Sequence, residues 1–280
     1  MKPERELWSL YEPVHAIAYF DPTVSGCLAD LGLHGFWNGY FAGRASALGA
    51  VDAAPVTALF YGFAPRMVEK AIPKVWTRVS PADAITARLD AVSRALTPLL
   101  ADGSTDDVRR VTDLATATAS SLDTGGRALA AAWQAVPAPE DLAARLWWSL
   151  TVIREHRGDG HVLAATYAGL DGLEAMATHV ARGPMTRELM VPIRGWTEDE
   201  WDAAFARLVD RGLVAPDGTA LTIAGAALRQ AVEDDTDRLA GTDLDDELPL
   251  FRSVLAPLVR AVTASGGFPS INPMGVPLPQ

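Results

Sequence analysis

Residues 197–225 read TEDEWDAAFARLVDRGLVAPDGTALTIAG, and this run decides the fold. Thr197 followed by Glu200 is an N-cap with a capping-box carboxylate: the threonine oxygen accepts from the third helical N–H, and the glutamate returns to the cap. Trp201, Phe205, Leu208 and Val209 then share one face of a helix that Gly212 stops. Leu213-Val214-Ala215 and Ala220-Leu221-Thr222 flank Pro216-Asp217-Gly218, a pattern that predicts a small β-hairpin. Thr222 to Gly225 caps a further helix reaching about residue 240. Helix, short hairpin and helix in that order form the back half of a winged helix-turn-helix.

Upstream, Arg182-Gly183-Pro184 places a glycine and a proline directly after the last periodic residue, which marks a domain boundary. Downstream, one last helix follows Asp243, and Gly266 to Gln280 is a proline-rich, apolar tail expected to dock on the body as an extended arm. Residues 1–183 read as helical. Ser80-Pro81-Ala82-Asp83 caps a helix from about 81 to 101, Asp102-Gly103-Ser104 turns the chain, and Thr105-Asp106-Asp107 starts the next helix. Val51 to Phe63 reads as an apolar helix ended by Ala64-Pro65. The expected fold is therefore mainly α: a helical N-terminal domain over 1–183, then a C-terminal winged helix-turn-helix domain over 184–280 with a small β-hairpin and an extended tail.

Of 280 residues, 24 are Lys or Arg and 35 are Asp or Glu, so the chain carries −11 and is no general polyanion binder. With 49% hydrophobic and 21% charged residues it can build a core, and it fits neither the disordered nor the collagenous class. Cys27 is the single cysteine, so no internal disulfide forms. Without a nearby base or cation in sequence, it reads as an inert thiol. No signal-peptide core and no membrane-length apolar run is evident, and the cytoplasm is the expected location.

Chemistry concentrates in Arg154-Glu155-His156-Arg157-Gly158-Asp159-Gly160-His161, which sits between apolar helical stretches and needs polar partners there. As a site, it would use His156 or His161 as acid or base, Asp159 between two glycines as the orienting carboxylate, and Arg154 or Arg157 to hold an anionic group. As structure, it would be a salt-bridged helix cap. Glu12-Pro13-Val14-His15 is the second cluster. With Pro13 as first helical residue, Glu12 and His15 would face the same way in the aromatic surround of Trp8, Tyr11, Tyr19 and Phe20; alternatively His15 is a core histidine bonded to a carbonyl. Trp37, Asn38, Tyr40 and Arg44 lie on or near a glycine-rich helix, where Arg44 needs an acidic partner or a ligand carboxylate. Glu12, His15, His156 and His161 lack the i,i+4 spacing of a helical metal pair, so neither metal nor cofactor is expected.

Trp8, Glu12-Pro13-x-His15-Ala16, Tyr19-Phe20, Gly35-x-Trp37-x-Gly39-Tyr40-Phe41-x-x-Arg44, residues 154–161, Arg194-Gly195-Trp196 and Asn272-Pro273-x-Gly275 together resemble a two-domain family common in actinobacteria and usually labelled MarR-like winged-helix proteins. The resemblance covers nearly the whole chain. It implies a helical domain followed by a winged helix, and a regulator that binds DNA as a dimer. The charge pattern opposes that role. Residues 198–211, in the position of a recognition helix, carry five carboxylates against Arg207 and Arg211, and the turn at Pro216-Asp217-Gly218 has no Lys or Arg. Two functions are thus open, and the charge pattern favours the first. One is a small-molecule-binding protein with an ionisable pocket, extending to cofactor-independent acid/base chemistry in specialised metabolism, whose winged helix has little DNA affinity. The other is a MarR-like, ligand-responsive transcriptional regulator.

Overall fold

Side chains that turn back onto freed backbone N–H groups set most of the helix starts. Ser80 accepts from Asp83, Asp141 from Ala144 and Thr222 from Gly225, while Asp171 with Glu174 and Thr197 with Glu200 form capping boxes. The structure, a computed structural model, describes residues 2–101, 103–183, 185–218, 220–269 and 271–276. The expected breaks at Asp102 and Pro184 and the end of the tail lie outside them.

In chain order the helices are α1 (Pro3–Phe20), α2 (Pro22–Ser25), α3 (Phe36–Ala45), α4 (Ala53–Leu59), α5 (Pro65–Glu69), α6 (Pro81–Leu100), α7 (Thr105–Ser121), α8 (Ala128–Ala135), α9 (Leu142–Tyr167), α10 (Gly172–Arg182), α11 (Arg187–Arg194), α12 (Glu198–Asp210), α13 (Ile223–Leu239) and α14 (Leu248–Ala264). No helix among the described residues is long and apolar enough to cross a membrane.

Two apolar clusters divide the molecule. The larger gathers α1, α3, α6, α7, α8, the first half of α9 and α14 around the fully buried Trp133, Trp147 and Phe251. The smaller packs the last turns of α9 with α10 to α13 around Trp201 and Leu208. At 26 residues α9 is about 39 Å long and belongs to both. Helix α14 returns to α1 and completes the larger cluster.

The expected β-hairpin does not form, and among the described residues there is no strand. Val214 and Leu221 make an isolated antiparallel bridge, with Ala215 donating to the Ala220 carbonyl at 2.9 Å and Thr222 to that of Leu213 at 3.0 Å. The cause is local. The N–H groups of Leu213 and Val214 both return to the Leu208 carbonyl, at 2.9 and 3.4 Å, closing the end of α12 instead of extending a ladder. Three residues on each side, with no neighbouring sheet, cannot offset that loss. The fold is mainly α with a turn in the place of a wing.

Three local readings also change. Residues 154–161 are no joint: they run through the interior of α9. Gly158 and Gly160 are therefore helical, and at Gly160 an added Cβ would lie 2.6 Å from Arg127 Nη1 and 3.2 Å from Leu239 Cβ, so this glycine serves close packing rather than an unusual turn. Pro13 lies inside α1, not at its start. The apolar stretch from Val51 to Phe63 supplies only the short α4. The described part of the tail does dock: Phe268 is buried against Phe20, and Asn272 and Val276 close a small loop through paired hydrogen bonds of 3.0 Å.

Candidate functional site

A cavity of about 690 Å³ lies between the helical body and the smaller unit. Helix α1 lends it Trp8 and Glu12, α3 lends Arg44, and α9 lends Arg154, Arg157, Asp159 and His161. Helices α10, α11 and α13 supply much of the rest of the wall, and Pro273, Met274 and Gly275 of the tail border it too. Glu12 and Asp159, remote in sequence, thus line the same chamber.

At one end the polar groups form a continuous chain. Arg44 binds Glu155 in a fork, Nε to Oε1 and Nη2 to Oε2, each at 3.0 Å. Arg154 Nη1 donates to Glu155 Oε2 at 2.9 Å, and its Nε reaches both oxygens of Glu12 at 3.2 Å. Trp8 Nε1 completes Glu12 at 3.1 Å. Burial alone would raise the Glu155 carboxyl, but Arg44 and Arg154 outweigh it and hold it far below the usual carboxylate range. The Arg44 guanidinium also lies 4.2 Å from the Phe60 ring centre.

The candidate acids and bases have other partners. Asp159 Oδ2 accepts from the backbone N–H of Leu129 and of Ala130, both at 3.0 Å, so it caps α8 and bonds to neither histidine. Burial pushes its carboxyl up to about 6, and those two N–H groups offset only part of the effect. His156 faces away from the cavity, with Nε2 3.1 Å from the Asp123 carbonyl; burial, then Arg127, lowers it to about 4. His161 does border the cavity, with Nδ1 3.0 Å from Thr236 Oγ1, and burial followed by Arg229 lowers it to about 4. His15 is sealed in the core: Nδ1 meets Thr151 Oγ1 at 2.9 Å, Nε2 meets the Tyr19 hydroxyl at 2.7 Å, and the ring stacks on Trp147. Burial, then Arg154, holds it well below the ordinary histidine value. Glu12 and His15 are therefore not a pair, because the helix is continuous through Pro13 and each side chain finds its own partners.

Trp37, Asn38 and Tyr40 do not border the cavity. Trp37 and Tyr40 join Phe41, Phe60 and Phe63 in an aromatic cluster beside it, and Asn38 donates to the His34 carbonyl at 2.8 Å. Among the described residues, no three His, Cys, Asp or Glu side chains are grouped so as to hold a metal.

Several cavity residues escape a reading of the sequence. Asp237 on α13 receives Arg157 Nη2 and Arg5 Nη2, each at 2.8 Å. Arg229 and Glu233 pair one turn apart on the same helix. Arg194, from α11, lies 4.4 Å from the Phe63 ring centre and has no carboxylate partner among the described residues. His179, from α10, lies against the tail: a Cβ at Gly275 would come within 2.6 Å of its ring. The spacing Arg229, Glu233, Asp237 is a polar stripe at successive helical turns, the one available sequence signal.

A helix-turn-helix family model matches residues 4–269, from α1 to beyond α14. The chain belongs to this helix-turn-helix family. No curated protein and no solved structure matches it. The family match takes in the helical body and its cavity as well as the helix-turn-helix unit.

The recognition helix expected from the sequence is α12. The arginines around α12 are engaged inside the chain. Arg187 binds Glu198 and, at 2.6 Å, Asp202; Arg207 binds Asp171 and Glu174, each at 2.7 Å; Arg211 binds Glu174 at 3.2 Å and the Gly169 carbonyl at 2.9 Å. Arg66, from α5, pairs with Glu200. Beyond it, Lys70, Lys74 and Arg78 are exposed and have no carboxylate partner among the described residues.

Proposed function

We propose that the protein is a ligand-responsive helix-turn-helix regulator, in which a small molecule held in the cavity biases the placement of the DNA-reading unit. The observation that carries this reading is the composition of the cavity wall: α1 and α9, which build the larger apolar cluster, and α10, α11 and α13, which build the smaller, border one space. A ligand touching both sides favours one arrangement of the two units by its difference in affinity for them. Lys70, Lys74 and Arg78, exposed and following Arg66 in the chain, are the cations available to phosphates flanking the reading helix. A MarR-like arrangement, with a dimer spanning two half-sites, belongs to this reading.

A mobility-shift assay with DNA from upstream of the protein's own gene tests it. A retarded band is expected at roughly physiological salt, and the triple variant Lys70→Glu, Lys74→Glu, Arg78→Glu should remove it. A second reading, a ligand-binding protein without DNA affinity, is favoured by the acidic start of α12 and the engagement of its arginines. No retardation even at low salt would leave that reading standing, with His161 and His179 the imidazoles available to any acid/base step in the cavity.

A further inference from the structure

Although the chain carries −11, eight Lys and Arg side chains border the cavity against five Asp and Glu. Their pairing is uneven. Arg44 and Arg154 are satisfied by Glu155 and Glu12, and Arg5 is satisfied by Asp237 and Glu233. At the other end Arg229 is only 4% exposed, and its single bond runs from Nη2 to Glu233. Glu233 is shared with Arg5 at 2.9 Å, so one carboxylate faces two guanidinium groups. Arg229 Nε and Nη1, Arg157 Nη1 and His179 Nε2 are buried with no hydrogen-bond partner in the protein. Arg182, also on the wall, has no carboxylate partner among the described residues.

Buried guanidinium N–H groups without acceptors are costly, and Arg229 has one on each edge of its plane: Nε–H lies beside Nη2, which Glu233 takes, while Nη1 lies on the Cδ side and is wholly unmet. Apolar side chains, among them Trp8, Leu59, Phe60, Met176 and Met190, border the rest of the space, which has the size of an ordinary small-molecule pocket. Resting on the cavity reading above, we propose that the α10–α13 end is a headgroup site for a small organic oxyanion with an apolar body. Arg229 Nη1 is the primary donor, Arg157 Nη1 and His179 are auxiliary donors, and the ligand's apolar part runs toward Phe60. The headgroup is a carboxylate or a phosphate monoester.

Two dyes with the same apolar body separate charge from hydrophobicity: 8-anilinonaphthalene-1-sulfonate and the uncharged N-phenyl-1-naphthylamine, titrated by fluorescence into the full chain. The sulfonate should bind at least about ten-fold more tightly, and Arg229→Met should bring the two within about three-fold. Arg229→Lys, which keeps the charge but not the planar array of donors, should fall between. His179→Gln is the second variant, expected to weaken the sulfonate alone, should Arg229→Met fail to fold. Displacement of the sulfonate dye by octanoate or by octyl phosphate tells the two headgroups apart. Equal affinity for the two dyes, or sulfonate binding unchanged in the folded variants, overturns the proposal. Since no DNA is present, a chain that prefers the anion but retards no DNA keeps this site and loses the regulator reading; one that retards DNA and treats both dyes alike does the reverse.

Discussion

At the α3 end of the cavity, Arg44, Glu155, Arg154 and Glu12 saturate one another, and Trp8 closes the chain. At the α13 end the same residue types leave donors over, on Arg229 and Arg157. Both ends are buried, so burial does not distinguish them; stoichiometry does. A saturated network stiffens the wall it belongs to, whereas an unsaturated one is a surface that gains by acquiring an acceptor. The first end is architecture bordering the cavity, and the second is where binding chemistry remains to be done.

The largest effect on the whole molecule should come from pH, because four rings act in the same direction. His156, His161 and His179 are lowered to about 4, chiefly by burial and then by nearby arginines, and His15 lies well below its ordinary value. A histidine whose folded pKa is depressed adds stability that is complete above its unfolded value near 6.5 and is lost as pH falls toward the folded value. Asp159, raised to about 6, opposes this: its contribution is present at low pH and lost as pH rises through about 6. One group against four does not reverse the trend. Thermal melts should therefore show a falling Tm from pH 7 to pH 5. A flat or rising Tm would mean that these rings are more hydrated than their packing implies. An anion at the open end should favour the charged forms of His161 and His179, bringing them back toward their ordinary value and shrinking the loss, and should do nothing for the sealed His15.

Next in size is the removal of Glu155. Glu155→Gln leaves Arg44 and Arg154 buried around a neutral amide, and breaking a buried ion pair by removing one partner costs about 3–5 kcal/mol. Arg229→Met at the open end should cost far less, because it removes a cation with two unmet donors and leaves Glu233 its pair with Arg5. Urea titration of both variants checks the contrast. Equal losses would make the two ends alike and dissolve the distinction.

Gly160→Ala is smaller and probes the back of α9. In a free helix the change would gain roughly 1 kcal/mol, yet the new Cβ would sit 2.6 Å from Arg127 Nη1, whose hydrogen bonds to the carbonyls of His156 and Leu239 it would disturb. Overpacking of this kind costs about 1–3 kcal/mol, so a net destabilisation is expected in the unfolding curve. A net gain would show that Arg127 moves aside freely.

Which parts were legible in the sequence follows from the range of the forces involved. Caps act within one turn, so Ser80, Thr197 and Thr222 could be placed without any tertiary knowledge. The stretch at 213–222 carried hairpin signals that are just as local, but the end of α12 competes for the same N–H groups and wins. The polar run 154–161 stood out by composition, and five of its residues do border the cavity. Its division of labour was hidden, since Asp159 is committed to α8 and His156 to Asp123, both distant in the chain. Arg229 and His179 were invisible as site residues because each is an ordinary polar residue on an amphipathic helix, and only tertiary packing deprives them of water.

Asp159→Asn should have the smallest effect of the series, and its size separates a cap from a catalyst. Oδ2 alone accepts both backbone N–H groups, so an asparagine oxygen can take over both bonds, and the expected loss is about 1 kcal/mol, measurable as a small fall in Tm at pH 7. Asparagine cannot hold the proton that the raised carboxyl takes up near pH 6, so the variant also loses the one term opposing the histidines. Its Tm should therefore fall more steeply than the parent's between pH 7 and pH 5. Dye binding in the cavity should be unchanged, because the carboxylate is directed at α8 rather than at Arg229. A large loss of anion affinity in a variant that keeps its Tm would instead make Asp159 part of the ligand site, and the saturated and unsaturated ends would then be one continuous surface.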